Sequence, residues 1–481
     1  MRFLLSLLLS TALALPPFVH AQNLPDLGES SQAEFSPHAE RELGQSIMSR
    51  IRRDPAYIDD PEVAAYISGI GQRLAAATPE TAGIDFHFFA VRDPNINAFA
   101  LPGGYIGVHS GLVTAAMTES EFASVLAHEI AHVSQRHIAR QLQAQSQIGA
   151  LSMIGMVIAM LAASSNPQVA EAAAVAGSAA PVAAFLNYSR EFEREADRLG
   201  YQILRAAEFD VHAMPSFFER LQRSTRLYEN NAPGYLRTHP LTTERIADMQ
   251  HRTREERPAR MQPDSRTFQI VRAKLRAEQG DASDAAAFFR EALADRRYAD
   301  RGAARYGYVV ALLRMGDVAT ARAQWLELRK AADSHPMYET VGARVYLAAG
   351  EPEEAVRVLQ RAVKKHPHND LVRVAYADVL QQAHRHQEAV SLLSTLRSER
   401  PGEPRFYQML AKSYAGLGQR VEQHRALAEY YYLTGSLPGA IQQLELAQSA
   451  KDADFYTLSA VDARLRQLRA QQLQEMKERQ R

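Results

Sequence analysis

The sequence predicts a mainly helical α+β protein, in which a mixed N-terminal part with a small β-sheet is followed by an α-solenoid. Three observations lead to this prediction. The 481 residues, of which 46% are hydrophobic, are enough to form two or more cores. Strand-like segments rich in aromatic and β-branched residues occur only before about Arg266. After that point Ala, Leu, Arg, Glu and Gln dominate, and one short pattern recurs at nearly constant spacing.

The charge balance and the lack of cysteine exclude several classes of protein. Lys and Arg total 55, as do Asp and Glu, so the formal net charge is +0 and no nucleic-acid partner is expected. With no Cys in the chain, a disulfide framework, a thiolate metal site and a cysteine nucleophile are all excluded. Any metal must therefore be held by His, Asp or Glu.

The first residues have the pattern of a secretory signal. A short positive region precedes an apolar run over 3–15, and small residues stand where cleavage after Ala21 requires them. We therefore expect a signal peptide over 1–21 and a linker rich in Pro, Ser and Gly over 22–37. The alternative is an uncleaved anchor, although the run is shorter than the ~20 residues that span a bilayer. An exported chain without Cys fits a bacterial periplasm.

Periodicity predicts the elements that follow the linker. Helices are expected at 38–53 and 61–76, and a strand is expected at 84–92. Pro102–Gly104 is a turn signal, and 105–108 is predicted to be the partner strand in a hairpin.

A longer helix is predicted from Glu119 to about Gln143, with Thr118 as its N-cap and Glu121 completing a capping box. Beyond it, two nearly uncharged stretches occupy 148–186. Their composition is compatible with three interpretations: buried core helices, a lid over the site, or a peripheral contact with a membrane surface.

A repeat predicts the architecture of residues 266–481. A Gly, four residues and then an Ala recur, and one copy lacks its Gly. The repeat alanines are Ala285, Ala321, Ala355, Ala389 and Ala440. The first three intervals, 36, 34 and 34 residues, match the length of about 34 that is typical of tetratricopeptide repeats. Gly allows a tight turn between two helices and the small Ala allows their close approach. A generic helical bundle is the alternative.

One motif carries catalytic chemistry. His128 and His132 are four residues apart on a predicted helix, so both imidazoles face the same side, as a shared metal requires. Glu129 lies beside them, where it can take a proton from a water on the metal. The alternative is a surface helix with two ordinary histidines.

A second segment supplies candidates for a third ligand. Catalytic zinc takes three protein ligands and keeps one open position. Glu193 could complete a His-His-Glu site, and Asp197, one turn later, could accept a hydrogen bond from a ligand histidine. Glu191, Glu195 and Asp210 compete for these roles, and spacing does not choose among them.

Four motifs in order resemble one peptidase family. They are NAFALPGGYIGVHSGLV, HEIAH, SREFEREADRLG and THPLTTERI. Together they are similar to the gluzincin peptidases of the HtpX and CAAX-prenyl-protease type. The signal and the repeats narrow the resemblance to the periplasmic BepA-like branch. The resemblance implies a gluzincin domain over 38–260 that binds one zinc ion per chain through His128, His132 and Glu193, with Asp197 supporting the ligands.

The resemblance gives meaning to two further places. Asn97, Ala98 and Phe99 would begin an edge strand beside the zinc, to which a substrate strand adds by backbone pairing. An ordinary hairpin is the alternative. His239 would approach the zinc as a fourth ligand that restrains activity, or else it is simply ordered by Pro240 and the helix start. The other histidines, His137 included, are expected to play no part, because His137 falls on a different helical face from His132.

The function implied by the resemblance is that of a periplasmic zinc endopeptidase. Glu129 would act as general base, the substrates would be misassembled outer-membrane β-barrel proteins, and the repeats would bind the barrel-assembly machinery. A different class, a non-proteolytic assembly factor acting through its repeats, is the alternative. A structural repeat protein with a fortuitous HExxH sequence is a third hypothesis.

Overall fold

The computed structural model describes residues 36–144, 189–227, 234–256, 264–330, 335–450 and 452–479. The predicted signal peptide 1–21, nearly all of the linker 22–37 and the hydrophobic segment 148–186 lie outside the described residues. Within the described ranges, no helix is both long enough and apolar enough to cross a membrane.

The first part of the described chain combines helices with one small sheet. Its helices are α1 (Pro37–Ile51), α2 (Pro61–Ala75), α3 (Ser110–Ala115), α4 (Glu119–Ser134), α5 (His137–Ala144), α6 (Arg190–Ala206), α7 (Ala213–Leu227), α8 (Gly234–Thr238) and α9 (Thr243–Thr253). Its strands are β1 (His87–Val91), β2 (Ala98–Leu101) and β3 (Tyr105–His109), with 3-10 helices at Pro79–Thr81 and Pro102–Gly104. Helices α1 and α2 confirm the two that periodicity predicts, and β1 confirms the first strand.

The sheet has the order β1-β3-β2. Strand β3 pairs in parallel with β1, with Phe88 opposite Ile106, and antiparallel with β2, with Phe99 opposite Gly107. The predicted pairing of the first strand with 105–108 is therefore confirmed, but the two strands run parallel and do not form a hairpin. The turn at Pro102–Gly104 joins β2 to β3, and the earlier strand, β1, adds to the far side of β3.

The long helix predicted from Glu119 to Gln143 is interrupted. Helix α4 ends at Ser134, and Arg136 adopts a left-handed conformation with φ of 52° before α5 begins. The guanidinium of Arg136 pairs with Glu40 of α1 across the break. This anchor holds a backbone conformation that costs a non-glycine residue about 1–2 kcal/mol.

The start of α4 differs in one respect from the predicted capping box. The Thr118 hydroxyl accepts from the Glu121 N–H at 3.1 Å, as predicted. The Glu121 carboxylate, however, accepts from the N–H of Met117 at 2.7 Å and also pairs with Arg220. The reciprocal bond of the box therefore reaches one residue further back than predicted.

The second part is a stack of helices, as the repeat predicts. They are α10 (Arg266–Glu278), α11 (Ala282–Ala294), α12 (Arg301–Met315), α13 (Val318–Arg329), α14 (Pro336–Ala348), α15 (Pro352–Lys365), α16 (Asp370–Gln382), α17 (His386–Glu399), α18 (Pro404–Gly416), α19 (Arg420–Leu433), α20 (Leu437–Ser449) and α21 (Phe455–Arg479). All five repeat alanines are buried. In the copy that lacks Gly, His384 takes the turn position with φ of 59°.

The two parts share one hydrophobic core. Tyr66 of α2 and Phe122 of α4 lie with their ring centroids 5.8 Å apart, and Phe268 of α10 lies 6.2 Å from Tyr66. Next to these rings, the buried ammonium of Lys274 on α10 is 2.6 Å from the carboxylate of Glu62 at the start of α2. The first repeat helix is therefore packed into the N-terminal part as well as into the solenoid.

Candidate metal centre

Close packing of α6 on α4 builds the centre. Gly200 of α6 lies against the backbone of α4, and a Cβ there would lie 3.1 Å from the Cα of His128. The missing side chain lets the helices approach closely. As a result Glu193 and Asp197 of α6, one turn apart, face the two histidines of α4.

Four side chains converge at this point. One ligand atom from each of His128, His132, Glu193 and His239 lies within 4.8 Å of the others, and all four residues are buried. His132 Nε2 is 3.0 Å from His128 Nε2 and 3.3 Å from Glu193 Oε1, while His239 Nδ1 is 3.0 Å from that oxygen. Zinc bonds of 2.0–2.1 Å in a tetrahedron place ligand atoms about 3.4 Å apart, so the donor set fits zinc in number, type and spacing.

The structure separates the competing carboxylates. Glu193 points into the cluster, whereas Glu191 is exposed. Glu195 contacts His137 and Arg140, and Asp210 pairs with His212. Of these four acidic residues, only Glu193 has an oxygen among the converging ligand atoms.

Asp197 and Arg245 contact the cluster on the side away from the converging ligand atoms. An oxygen of Asp197 lies 3.0 Å from His128 Nδ1, on the side of the ring away from the ligand atoms. Arg245 of α9 donates to both oxygens of Asp197, at 2.6 and 2.8 Å, and its third nitrogen lies 2.6 Å from Glu193. Sequence reasoning missed Arg245, because an arginine near the start of a short helix resembles any solvated charge.

The electrostatics of the centre favour positive charge. Burial opposes charging of His128, but hydrogen bonds to Asp197 and Glu193 raise its pKa to about 9. Burial also opposes ionisation of Glu193, yet His239, Arg245 and the other histidines hold its pKa well below the ordinary value. The buried carboxylates of Glu193 and Asp197, whose pKa values are both held below the ordinary ones, thus remain charged in a place where a cation would be stabilised.

Glu129 lies beside the cluster and is fully buried. Neither of its carboxylate oxygens makes a hydrogen bond of good geometry to a described residue, and His239 Nε2 lies 3.4 Å from one of them. Burial raises the pKa of this carboxyl above its usual value, with His239, His128 and the Ala100 N–H of β2 acting in the opposite direction. A buried carboxyl with a raised pKa suits proton transfer.

His239 is held by a short local structure. Its N–H donates to the Tyr235 carbonyl at 2.8 Å, and the two rings stack with centroids 4.6 Å apart. Tyr235 is itself tied to the N-terminal part, since its N–H donates to the Ile96 carbonyl at 3.0 Å. The structure therefore brings His239 to the cluster on a segment anchored beside β2.

Asn97, Ala98 and Phe99 lie at the predicted strand. Ala98 and Phe99 belong to β2, an edge of the sheet formed by the described strands, and α4 packs against that strand. All three residues are buried, and the Phe99 ring lies against Phe89 and His109.

His137 contradicts the expectation that it lies away from the site. It is buried, and its Nδ1 lies 2.8 Å from Nδ1 of His132. Because the helix breaks at Arg136, His137 does not continue the periodicity of α4 and turns back toward His132. Neither Gly nor Pro marks the break, so the sequence carries no signal that would have revealed this contact.

A helix with two histidines, a carboxylate from a second helix and a buried glutamate beside them define a metallopeptidase of the HExxH class. The chain matches the model of peptidase family M48 over residues 61–253 and tetratricopeptide repeat models over residues 270–336 and 346–413.

Curated relatives agree with this class. The chain is 31% identical to the Beta-barrel assembly-enhancing protease of Escherichia coli over 95% of this chain and 92% of that protein. It is 32% identical to a putative beta-barrel assembly-enhancing protease of Vibrio cholerae over 93% of this chain and 92% of the relative. The Mitochondrial metalloendopeptidase OMA1 of Arabidopsis thaliana is 30% identical over 34% of this chain and 31% of its own length. The chain belongs to peptidase family M48, and tetratricopeptide repeats follow its peptidase part.

Proposed function

We propose that this metallopeptidase is a zinc endopeptidase of the bacterial periplasm that degrades misassembled outer-membrane β-barrel proteins. The observation that carries the proposal is the spacing of the ligand atoms of His128, His132, Glu193 and His239, which matches a zinc tetrahedron. The substrate class rests on the names of the relatives in Escherichia coli and Vibrio cholerae, which span nearly the whole chain. A signal peptide over 1–21 would export the peptidase part 38–260 and the repeats 266–481.

In this proposal His128, His132 and Glu193 hold one zinc ion, and Asp197 fixes the ring of His128 by accepting from its Nδ1. When bound, zinc polarises the scissile carbonyl and acidifies the attacking water. Glu129 would take the proton of that water and then deliver it to the leaving amine. Burial of Glu129 raises its pKa, which favours the protonated form that delivers the proton.

Strand β2 would orient the substrate. It lies at an edge of the described sheet and against the metal-bearing helix, so an extended peptide that paired with it would run past Glu129. Asn97, Ala98 and Phe99 would supply the first main-chain partners. Holding the scissile bond in this way replaces a bimolecular encounter by a positioned one.

His239 would restrain the enzyme as a fourth zinc ligand. Its ring contacts both Glu193 and Glu129, so it occupies the place that the attacking water and the scissile carbonyl need. Substrate entry would then require the segment of Tyr235 to His239 to move away from β2.

Substitution of Glu129 tests the proposal directly. We expect Glu129→Gln to retain one zinc ion per chain and to reduce cleavage of an unfolded outer-membrane β-barrel protein by about 10²- to 10⁴-fold, the usual contribution of a general base. Glu191→Gln, at an exposed position of α6, is the matched control and should cleave normally. Full cleavage by the Glu129 variant, or a wild-type chain that does not bind zinc, would refute the mechanism.

A non-proteolytic assembly role is the second candidate, and a groove favours it. The start of α2 and repeat helices α10, α14, α16 and α18 enclose about 820 Å³, with Arg344 and Lys412 among the lining residues. We infer that this groove receives a protein of the barrel-assembly machinery. In cells that lack the chain, Glu129→Gln should still rescue outer-membrane defects if binding is the main function, whereas Lys412→Glu, at a side chain that is 58% exposed, should not. Rescue by the groove variant alone would assign the function to proteolysis.

A further inference from the structure

We propose that His137 is a positioning residue: it fixes the tautomer and ring orientation of His132, and Glu195 in turn fixes the tautomer of His137. The proposal rests on the proposed zinc site, since it concerns how one ligand of that site is prepared. It assigns a role to two residues outside the HExxH sequence, one of them beyond a helix break and the other on α6.

The ring contacts are satisfied by the following arrangement of protons. His132 turns Nε2 toward Glu193 and the other ligand atoms, so that nitrogen needs its lone pair and the proton must sit on Nδ1. His132 Nδ1 lies 2.8 Å from His137 Nδ1, which must then accept. The proton of His137 is therefore on Nε2, and that atom lies 3.2 Å from an oxygen of Glu195. The series of hydrogen bonds therefore ends on a carboxylate, which can only accept when it is ionised.

The other candidate ligand histidine, His128, also has a carboxylate behind it, without a second imidazole in between. His128 Nδ1 lies 3.0 Å from a carboxylate oxygen of Asp197, with no intermediary between them. His132 reaches its carboxylate through one additional imidazole. Each ligand histidine thus has its own outer acceptor, and both acceptors belong to α6, on the turns just after Glu193.

The ring of His137 is held in place from several sides. It is fully buried and stacks on Phe192 with centroids 4.4 Å apart and planes at 8°. Arg140 lies over the same Phe192 ring at 4.5 Å and donates to Glu195 at 3.0 Å. A ring fixed in this way offers its acceptor nitrogen in one direction only, which is the condition for preorganising a ligand.

The helix break explains how the chain achieves this geometry. In an uninterrupted helix, five residues advance about 500°, which would leave His137 about 140° away from His132 around the axis. The left-handed Arg136 resets the direction of the chain, and its ion pair with Glu40 of α1 stabilises that conformation. The strained residue, Arg136, thus directly precedes His137, whose placement depends on it.

The test compares zinc affinity in the full chain, measured by competition with a chromophoric chelator. His137→Phe keeps an aromatic ring on Phe192 and removes the acceptor, and we expect it to weaken zinc binding about 10- to 100-fold, as loss of such partners typically does. His137→Asn places an oxygen near the position of Nδ1 and should restore most of the affinity. His38→Phe, at an exposed position of α1, is the control and should bind as the wild type does.

The unfolding temperature of each metal-free variant is measured alongside, so that loss of fold is separated from loss of affinity. Zinc affinity unchanged in a folded His137→Phe chain, or no recovery in His137→Asn, would overturn the inference while leaving the zinc site intact. If His137→Phe does not fold, Glu195→Ala decides, since that side chain is 38% exposed and its loss is tolerable. A zinc affinity of the Glu195→Ala chain equal to that of the wild type would likewise overturn the inference. A wild-type chain that binds no zinc would instead refute the proposed function.

Discussion

Replacing Lys274 by Met measures how firmly the repeats are joined to the peptidase part. The Lys274 ammonium lies 2.6 Å from an oxygen of Asp60 and 2.6 Å from one of Glu62, and its side chain is 2% exposed. Tyr306 and Thr340 of the repeats also donate to Glu62. Helices from both parts therefore meet at one buried ionic cluster.

The expected loss follows from what Met leaves behind. Breaking a buried ion pair by removing one partner typically costs about 3–5 kcal/mol, because the other charge stays buried without compensation. The Asp60 side chain is 24% exposed and can regain some hydration, so we expect the lower end of that range. A loss of about 3 kcal/mol lowers the folding equilibrium constant roughly 150-fold.

The loss of stability in Lys274→Met should depend on pH in a characteristic way. Burial raises the pKa of Asp60, but Lys274 outweighs it and holds that pKa below the ordinary value. Burial lowers the pKa of Lys274, but Glu62 and Asp60 outweigh it and hold that pKa above the ordinary value. The pair therefore stabilises the fold fully between the unfolded values of about 4 and 10. Its contribution fades as pH falls through the lower folded pKa of Asp60, or rises through the higher folded pKa of Lys274.

The measurement is urea unfolding of Lys274→Met and wild type between pH 3 and 9, followed by circular dichroism. The difference in unfolding free energy should be largest near neutral pH and should shrink toward pH 3. Lys330→Met removes an ammonium of comparable type at a side chain that is 71% exposed, and should leave stability unchanged. A Lys274 variant within about 1 kcal/mol of the wild type at pH 7, the level of a surface ion pair, would refute the reasoning.

Three further predictions concern the centre and the repeats. Gly200→Val places a side chain against the backbone of His128 and should cost about 1–3 kcal/mol while weakening zinc binding; an unchanged unfolding temperature would contradict this. His239→Ala should increase basal cleavage of an unfolded substrate, and an unchanged rate would show that His239 exerts no restraint. His384→Gly relieves a left-handed conformation and should raise stability by up to about 1 kcal/mol, whereas Gly350→Ala at the matching turn should lower it; the reverse order of unfolding midpoints would contradict the repeat alignment.

The parts of the site that the sequence predicted are those set by helical geometry. His128 with His132, and Glu193 with Asp197, are each separated by four residues, so each pair shares a face whatever the rest of the chain does. The structure brings all four together. The repeat alanines were predictable for a similar reason, because a fixed interval places them at the same point of each helix pair.

The parts that the sequence did not predict depend on distant or irregular contacts. Arg245 reaches Asp197 from 48 residues further along the chain, and β1 pairs with β3 in the parallel direction, which no local turn specifies. Predicting the contact of His137 with His132 would have required knowledge of the helix break at Arg136, which is held by a side chain from α1. A local pattern does not contain any of these contacts.

The shared core changes what a truncated chain would report. A chain ending before α10 would lose Phe268 from the rings of Tyr66 and Phe122. It would also leave Glu62 without the ammonium of Lys274, at the beginning of a helix that packs on α4, which carries His128 and His132. Inactivity of such a fragment would reflect an exposed apolar face and an uncompensated carboxylate as much as a missing docking surface. Point substitutions in the groove separate those causes. They leave the first repeat helix, α10, packed against the peptidase part.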